Sequence, residues 1–350
     1  CPLLTGDLFR SVIEAQRQAG AAIALVSSIV EDPRGYGRIV RDPDGGVRAI
    51  VEEAAATEAE RAIREVNAGV YCFDAAWLWE RLPSVPRSTS GEYYLTDLVG
   101  LATQDGRRVC AVTAPLEITA GVNDRKQLAM AEAVIRDRVR QRLLEAGVTL
   151  VDPATVYVDA TVRIAPDTIL YPGTLIEGNT VIGPGCRIGP YSRIVDSWIG
   201  SSVTVDMSVV EGARVGDGTR IGPFSHLRPG AEIGPRVELG NYAEIKNARI
   251  GADTRIHHVS YIGDAEIGER VNVGAGTITV NFDSESGTKH RTVVQDGASL
   301  GSDSLLVAPV TIGRDALTGA GAVITRDVEP GMVVVGVPAR PLRRRRQSAG

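Results

Sequence analysis

An aliphatic residue returns at every sixth position of the stretch TVRIAPDTILYPGTLIEGNTVIGPGCRIGPYSRIV, residues 161–195. An α-helix requires a period of about 3.6 residues and a flat β-strand a period of about 2. A period of six suits strands only if the chain turns a corner after each short strand, and the frequent glycines permit the backbone conformations that corners need. Three such sides close one triangular coil of about 18 residues, and stacked coils form a parallel β-helix. The aliphatic residues concerned are Ile164, Leu170, Ile176, Ile182, Ile188 and Ile194.

The same spacing extends in both directions, and it predicts a β-helix over residues 151–340. It begins at Val158 and continues, with short slips, almost to the C-terminus. A narrow interior filled by aliphatic side chains agrees with an aromatic content of only 5% and with 39 glycines. After residue 195 we expect the inward residues to be Val203, Val209, Val215, Ile221, Leu227, Ile233, Leu239, Ile245, Ile250, Ile256, Ile262, Ile267, Val273, Leu300, Leu306 and Ile312.

The remaining composition excludes several classes of protein. A length of 350 residues indicates about two domains, and a net charge of −5 argues against a nucleic-acid partner. No apolar run approaches the roughly 20 residues of a membrane span, and no secretory signal is visible. The cysteines, which lack any C-x-x-C spacing, are typical of free thiols in a reducing cytoplasm, where we expect the protein. They are Cys1, Cys72, Cys110 and Cys186.

The segments outside the repeat have their own character. Residues 1–122 alternate between apolar, strand-like runs and helical stretches, which predicts an α/β domain with too few strands to be more than the C-terminal portion of a larger one. Residues 123–150 contain an amphipathic pattern and are predicted to form a linker helix. The basic end, residues 341–350, is predicted to be a disordered tail.

The repeat breaks at VNFDSESGTKHRT, residues 280–292, which we expect to leave the β-helix as a loop. Charged side chains cannot lie unpaired in an aliphatic interior, so those near the break must project outward. A histidine accepts a proton near neutral pH, and arginine and lysine suit a phosphate-bearing substrate. The residues concerned are His226, His257, His258, His290, Arg228, Lys246 and Lys289.

A zinc site of three histidines, as in gamma-class carbonic anhydrases, is an alternative use of these side chains. His226 together with His257 or His258 could imitate it. Neighbouring residues of a strand point to opposite faces, however, so His257 and His258 are not expected to bind one metal ion. We therefore favour acid–base chemistry over metal binding at this place.

Six motifs resemble, in order and across both predicted domains, the bacterial bifunctional GlmU family. That family joins an N-acetylglucosamine-1-phosphate uridylyltransferase to a glucosamine-1-phosphate acetyltransferase. The resemblance implies a Rossmann-like nucleotidyltransferase domain, a left-handed β-helix, a cytoplasmic homotrimer with sites between subunits, and a role in supplying cell-wall and lipopolysaccharide precursors. The motifs are DPRGYGRI (32–39), GEYYLTD (91–97), GVN (121–123), LRPGA (227–231), YIGDAEIG (261–268) and VGAGT (273–277).

The resemblance also implies roles for residues of the β-helix. His258 matches the general base, Asn281 a residue that could orient its imidazole, and Ser302 a donor to the carbonyl oxygen of the thioester. The sugar phosphate would be bound by Arg228, Lys246, Tyr261 and Asn272. Acetyl-CoA would be bound by Ala275, Asn281, Phe282, Ser302 and Ala320, with Arg340 in place of an arginine where Gly336 stands, and Lys289 would reach a neighbouring subunit.

For the first domain the resemblance implies a site for UDP-N-acetylglucosamine formed by Gly37, Glu52, Asn67 and Asn123, with Asn123 as a Mg²⁺ ligand. The partner aspartate and the glycine-rich nucleotide loop would precede Cys1, so we expect uridylyl transfer from UTP only in an intact parent. Two alternatives remain for the β-helix: acetyl transfer to another amino sugar phosphate, such as galactosamine 1-phosphate, or a regulatory role without catalysis.

Overall fold

A computed structural model describes residues 2–88, 91–122 and 124–345 of the chain. The chain forms two compact units, Cys1–Ile135 and Arg136–Gly350. The division falls within a helix, Arg125–Glu145, that lies in the segment expected to be a linker. None of the described helices is long and apolar enough to cross a membrane.

The first unit is built on a five-stranded mixed sheet. Its strands are β1 Ile23–Ile29, β2 Arg38–Arg41, β3 Val47–Val51, β4 Glu65–Phe73 and β5 Val109–Thr113, in the order β3-β2-β4-β1-β5. β1 is parallel to β5 and antiparallel to β4, and it is buried along almost its whole length, as its apolar sequence predicts. The predicted α/β architecture is confirmed.

The described helices of this unit are α1 Gly6–Ala19, α2 Glu58–Arg61, α3 Ala75–Arg81, α4 Asp97–Gln104 and α5 Leu116–Thr119, with the short 3-10 helices Glu53–Ala55 and Leu82–Ser84. α6 Arg125–Glu145 contains the division between the units, and a third 3-10 helix, Pro153–Thr155, belongs to the second unit.

The second unit is a parallel β-helix, as predicted, with three faces that we name A, B and C. Two long strands, Glu238–Lys246 and Arg255–Gly263, run around the corner from face B to face A. The other strands of face A are Tyr157–Val158, Leu175–Glu177, Arg193–Val195, Val209–Glu211, His226–Leu227, Ile278–Val280, Leu305–Val307 and Val323–Ile324. Those of face B are Thr149–Leu150, Ile169–Leu170, Arg187–Ile188, Thr204–Val205, Arg220–Ile221, Asn272–Val273, Ser299–Leu300, Leu317–Thr318, Met332–Val335 and Arg340–Arg344. Those of face C are Arg163–Ile164, Val181–Ile182, Trp198–Ile199, Arg214–Val215, Glu232–Ile233, Arg249–Ile250, Ala265–Ile267, Thr292–Val294 and Val310–Ile312.

The interior of the β-helix is the expected aliphatic ladder, but the register predicted at Val203 and Val209 is wrong. The inward strand residues there are Val205 and Val210, both fully buried, whereas Val209 is partly exposed. Val203 is buried too, but it precedes its strand. The reason is that some sides of the coil have five residues instead of six, and a single left-handed residue forms each of these corners. Examples are Asp196, Met207 and Gly212, with φ of 45°, 39° and 54°.

Glycine follows the inward aliphatic residue for two different reasons. Gly189 has a φ of 98°, which strongly favours glycine. Gly274 has an ordinary φ, but a methyl group there would lie 2.5 Å from the main-chain nitrogen of Ser302 in the next coil. The second reason, close approach of stacked backbones, was not part of the expectation from the sequence.

The predicted break contains a small hairpin. The chain leaves face A after Ile278–Val280 and returns on face C with Thr292–Val294. Between them, the strands Phe282–Asp283 and Thr288–Lys289 pair antiparallel. We call residues 281–291 the excursion.

The disorder predicted for the tail 341–350 is wrong for its first residues. The strand Arg340–Arg344 pairs antiparallel with Met332–Val335. Arg345 then donates to the carbonyl oxygens of Gly297 and Asp315, each at 3.2 Å. The backbone at the end of a β-helix needs hydrogen-bond partners, and this strand supplies them whatever its side-chain charge. Residues 346–350 lie outside the described residues.

Candidate functional site

His258 lies in a column of residues at the corner between faces B and A, one residue from each successive coil. Strand register pairs Asn241 with His258. Main-chain hydrogen bonds link the following coils, from Gly276 to His258, from Asp303 to Ala275 and from Gly321 to Ser302. The structure therefore brings together four residues that the sequence analysis singled out. This corner column consists of Asn241, His258, Ala275, Ser302 and Ala320.

The imidazole of His258 is exposed and available. Among the described residues no side chain forms a hydrogen bond with it, and its ring meets only that of His257, edge to face at 6.0 Å. His257 is engaged instead, because its Nε2 lies 2.8 Å from Oε2 of Glu238. A free imidazole beside a strip of small side chains can take a proton from a bound substrate.

The opposite edge of face A, next to face C, carries a cluster of positive charge. Lys126, Lys246 and Lys289 are the lysines of the chain, and two of them meet here. The ammonium group of Lys289 lies beside that of Lys246 and, together with Arg228, lowers the pKa of Lys246. Arg228 is held by Glu244, with Nη1 2.9 Å from Oε1. We call Arg228, Lys246 and Lys289 the basic cluster; its mutual repulsion makes it suited to an anion.

Tyr261 lies on face A between the corner column and the basic cluster. Its ring extends over Gly263, where an added methyl group would come within 2.4 Å of the hydroxyl oxygen. Gly263 is the strand neighbour of Lys246, so the phenol reaches towards the basic cluster. Asn272 is different: it pairs with Arg255 and Ser299 on face B, and within one chain it does not belong to this surface.

Asn281 and Phe282 do not lie with the corner column. Asn281 is almost buried at the corner between faces A and C, where its Nδ2 donates to Oδ2 of Asp264 at 2.5 Å. Phe282 follows it at the start of the excursion, with 55% of its surface exposed. Within one chain, Asn281 and His258 therefore lie at opposite edges of face A, and Asn281 does not contact the imidazole. Asp264 is a residue that the sequence analysis missed, although it stands inside the quoted motif YIGDAEIG.

The first unit assembles three of its four predicted residues. The main-chain nitrogen of Asn67 donates to the carbonyl oxygen of Gly37 at 2.8 Å. A methyl group on Gly37 would lie 3.3 Å from the carboxylate of Glu52, so these residues share one surface. The fourth, Asn123, lies outside the described residues.

Two further residues of this surface were missed by the sequence analysis. Thr96 donates from its hydroxyl to Glu52 at 3.0 Å, and Tyr71 donates to Oδ1 of Asn67 at 2.9 Å. Burial raises the pKa of Tyr71 to about 12. Thr96 belongs to the motif GEYYLTD, which could have indicated it, whereas Tyr71 carries no signal in the sequence.

A metal site is not assembled within the described part of the chain. Residues 2–88, 91–122 and 124–345 contain no group of three or more His, Cys, Asp or Glu side chains placed to hold a metal ion. His226 pairs with Glu211 at 3.2 Å, and strand register aligns it with Glu244 and Tyr261 and not with His257 or His258.

Comparison with known proteins was made for both units. The model of the family "Nucleotidyl transferase" matches residues 3–117, and that of "Bacterial transferase hexapeptide (six repeats)" matches residues 212–247. The bifunctional protein GlmU of Heliobacterium modesticaldum is 49% identical over 336 residues, which cover 95% of this chain and 73% of that protein. GlmU of a Geobacillus species is 45% identical, with 93% and 71% covered. Among solved structures, UDP-N-acetylglucosamine acyltransferase of Francisella novicida has 18% identity and a TM-score of 0.41, with 56% of this chain and 70% of that one covered.

Proposed function

This chain belongs to the bifunctional GlmU family, and from that premise we propose that its β-helix transfers the acetyl group of acetyl-CoA to the 2-amino group of glucosamine 1-phosphate. As a member of the family, the chain is a transferase of nucleotidyl and acetyl groups. The observation that carries the proposal is the corner column, in which the free imidazole of His258 adjoins the small side chains of Ala275, Ser302 and Ala320.

His258 acts as the general base in this mechanism. The sugar attacks the thioester carbonyl carbon as its neutral amine, because an ammonium group has no lone pair. The imidazole takes one of the two amine protons while the C–N bond forms, which contributes about 10²- to 10⁴-fold to the rate. When the tetrahedral intermediate collapses, the C–S bond breaks and the imidazolium returns the proton to the leaving thiolate.

Ser302 is our candidate for stabilising the intermediate. Negative charge develops on the carbonyl oxygen during attack, and donors that are already in place lower the energy of that state. Ser302 lies in the corner column beyond Ala275, and its hydroxyl group has no hydrogen-bond partner among the described residues.

The basic cluster binds the sugar phosphate. Arg228 and Lys246 supply fixed positive charge, and holding the phosphate holds the amine of the same sugar near the thioester. Tyr261, which lies between the cluster and the corner column, contacts the sugar in this arrangement. Asn272 lies on face B, so in this arrangement it contacts the sugar that is bound on face A of a neighbouring chain.

We further propose that the active protein is a homotrimer whose sites lie between subunits. The residues that match acetyl-CoA positions stand at both edges of face A, and a neighbouring β-helix would bring opposite edges together. A row of exposed apolar side chains, all with positive φ, runs beside the corner column, and Phe224 stacks on Tyr242 at 5.3 Å. This apolar row comprises Tyr191, Met207, Phe224, Tyr242 and Val259, which are 73%, 37%, 50%, 59% and 62% exposed. Such a row on a single chain marks an interface.

For the first unit we propose that Gly37, Glu52 and Asn67 bind the UDP-N-acetylglucosamine of the uridylyl transfer reaction. A side chain at Gly37 would collide with Ile50, 2.9 Å away, and crowd Glu52, and the side chain of Asn67 is fixed by Tyr71. For Mg²⁺ the described residues offer no ligand set, and Asn123 lies outside them.

We place these reactions in the cytoplasm. Cys72, Cys110 and Cys186 are free thiols in the structure. Unpaired cysteines are typical of a reducing compartment.

The decisive experiment replaces His258. His258→Ala should reduce thiol release from acetyl-CoA in the presence of glucosamine 1-phosphate by about 10²-fold or more, because it removes the imidazole that takes the proton. His226→Ala is the matched control, since His226 lies on face A outside the corner column and is paired with Glu211. Full turnover in His258→Ala would exclude the assigned base.

A panel of acceptors tests the two alternatives. Faster thiol release with galactosamine 1-phosphate than with glucosamine 1-phosphate would reassign the substrate. An absence of thiol release with every amino sugar phosphate would indicate a regulatory β-helix without catalysis.

A further inference from the structure

Asp264 occupies the corner between faces A and C with a φ of 48°, one coil from Lys246 and one coil from the excursion. Its two carboxylate oxygens accept hydrogen bonds from two side-chain amides. Asn247 donates its Nδ2 to Oδ1, and Asn281 donates its Nδ2 to Oδ2, each at 2.5 Å.

The aspartates at other corners of the β-helix accept hydrogen bonds from a different kind of donor. Asp196, Asp217 and Asp296 accept from main-chain N–H groups of Asn179, Ser201 and Glu269 and so fasten one coil to the next. Among the described residues no main-chain N–H donates to the carboxylate of Asp264. Its side chain therefore joins two side chains, one from the coil before it and one from the coil after it, instead of a neighbouring main chain.

The main chain of Asp264 reaches both the basic cluster and the excursion. Its nitrogen donates to the carbonyl oxygen of Lys246 at 3.1 Å, and its own carbonyl oxygen accepts from the nitrogen of Thr292 at 3.2 Å. The excursion is thus attached to Asp264 at both ends, by the side chain of Asn281 at its start and by Thr292 directly after it. Within the excursion, the main-chain nitrogen of His290 donates to the carbonyl oxygen of Asn281 at 2.8 Å and closes the base of the hairpin.

Asp264 also balances the charge of the basic cluster. Lys289 and Arg228 disfavour the charged form of Lys246, and the carboxylate of Asp264 acts in the opposite sense on the pKa of Lys246. Without that carboxylate the excursion would carry Lys289 towards Lys246 against a larger repulsion. The same residue therefore fastens the excursion and offsets the electrostatic cost of its position.

We propose that Asp264 is a positioning residue that holds the excursion, and with it Lys289, against Lys246, so that both ammonium groups face one phosphate. The proposal rests on the proposed function in that the phosphate belongs to the acceptor sugar.

The test is Asp264→Asn. An asparagine can accept from only one of the two neighbouring amides, because its own Nδ2 opposes the other donor. We expect KM for glucosamine 1-phosphate to rise about 10- to 100-fold, with kcat within about threefold of the parent. We also expect faster hydrogen exchange in a peptide covering residues 281–292. Asp253→Asn is the matched control, since Asp253 has a φ of 59° at another corner and pairs with Arg236 outside the site; it should change none of these quantities.

A double-mutant cycle separates positioning from general destabilisation. If Asp264 acts through Lys289, Asp264→Asn combined with Lys289→Met should raise KM little more than Lys289→Met alone. Additive effects in the cycle, or exchange of residues 281–292 as slow as in the parent, would overturn the proposal. If the parent itself shows no turnover, the proposed function fails, and hydrogen exchange alone decides whether Asp264 holds the excursion.

Discussion

At the scale of single residues, the basic cluster holds like charges close together, and their repulsion lowers the stability of the fold. Lys246 and Lys289 lie side by side although a solvated chain would keep them apart, and the pKa of Lys246 is lowered mainly by Lys289. A lysine whose pKa is lower in the folded state than in the unfolded state destabilises the fold while it is protonated. That penalty is present at neutral pH and fades as the pH rises through the lowered pKa towards 10.5, the ordinary value.

Lys289→Met should therefore separate stability from binding. Removing the ammonium group relieves the repulsion, so the unfolding midpoint at pH 7 in a buffer without multivalent anions should stay the same or rise. KM for glucosamine 1-phosphate should rise at least severalfold, because one of the charges that face the phosphate is lost. Steady-state kinetics and thermal unfolding measure the two effects.

Lys126→Met, on the helix Arg125–Glu145, is the control for loss of a lysine and should alter neither quantity. A fall in the unfolding midpoint of Lys289→Met without a change of KM would show that Lys289 stabilises the fold and does not bind substrate. Added phosphate should raise the midpoint of the parent more than that of Lys289→Met, because a ligand stabilises the state that binds it.

At the scale of elements, the excursion depends on a polar residue, Thr279, at an inward position of the β-helix where most of the described residues are aliphatic. Thr279 points inward on the strand Ile278–Val280 and is fully buried. Its hydroxyl accepts from the nitrogen of Gly263 at 2.8 Å and donates to the carbonyl oxygen of the same residue at 2.9 Å. The strand that precedes the excursion is thereby fixed to the coil that carries Tyr261 and Asp264.

Thr279→Val should destabilise the β-helix by about 1–3 kcal/mol, because it leaves a buried N–H and a buried carbonyl of Gly263 without their partner. Denaturant unfolding followed by circular dichroism measures this change. Thr204→Val is the control with the same change of side chain, since Thr204 faces outward on face B; it should stay within about 0.5 kcal/mol. Equal effects of the two substitutions would contradict the role given to the hydroxyl.

At the scale of the whole molecule, one chain presents an incomplete site. The corner column and the excursion stand at opposite edges of face A, and the apolar row beside the corner column is left uncovered. Both facts have one explanation if three β-helices pack side by side. Activity and assembly should then be lost together.

Sedimentation equilibrium should give about three times the chain mass of 37.1 kDa. Tyr242→Asp places a charge in the apolar row and should dissociate the assembly, because a buried unpaired carboxylate costs several kcal/mol. Thiol release should fall in parallel. Trp198→Asp on face C, where the tryptophan is 45% exposed, should leave the mass unchanged. A parent that sediments as a monomer with full activity would contradict the trimer.

Local patterns were sufficient to predict much of this protein. The period of six requires short strands and corners, so it predicts the β-helix and its aliphatic interior over residues 151–340. The loss of that period at residues 280–292 predicts the excursion, and the cost of burying charge predicts that His258, Arg228 and Lys246 face outward. The α/β character of residues 1–122 follows in the same way from alternating strand and helix patterns.

Other features depend on which coil lies above which, and they were decided by the tertiary structure. In the sequence, a side of five residues cannot be told from an irregularity in the period of six. The inward positions of Val205 and Val210 were therefore decided by how the corners of stacked coils pack. The meeting of Lys246 with Lys289, the link from Asp264 to Asn281, and the strand Arg340–Arg344 all join residues through neighbouring coils. A repeat determines the spacing of contacts along one coil, whereas contacts between coils depend on the summed lengths of all the sides between them.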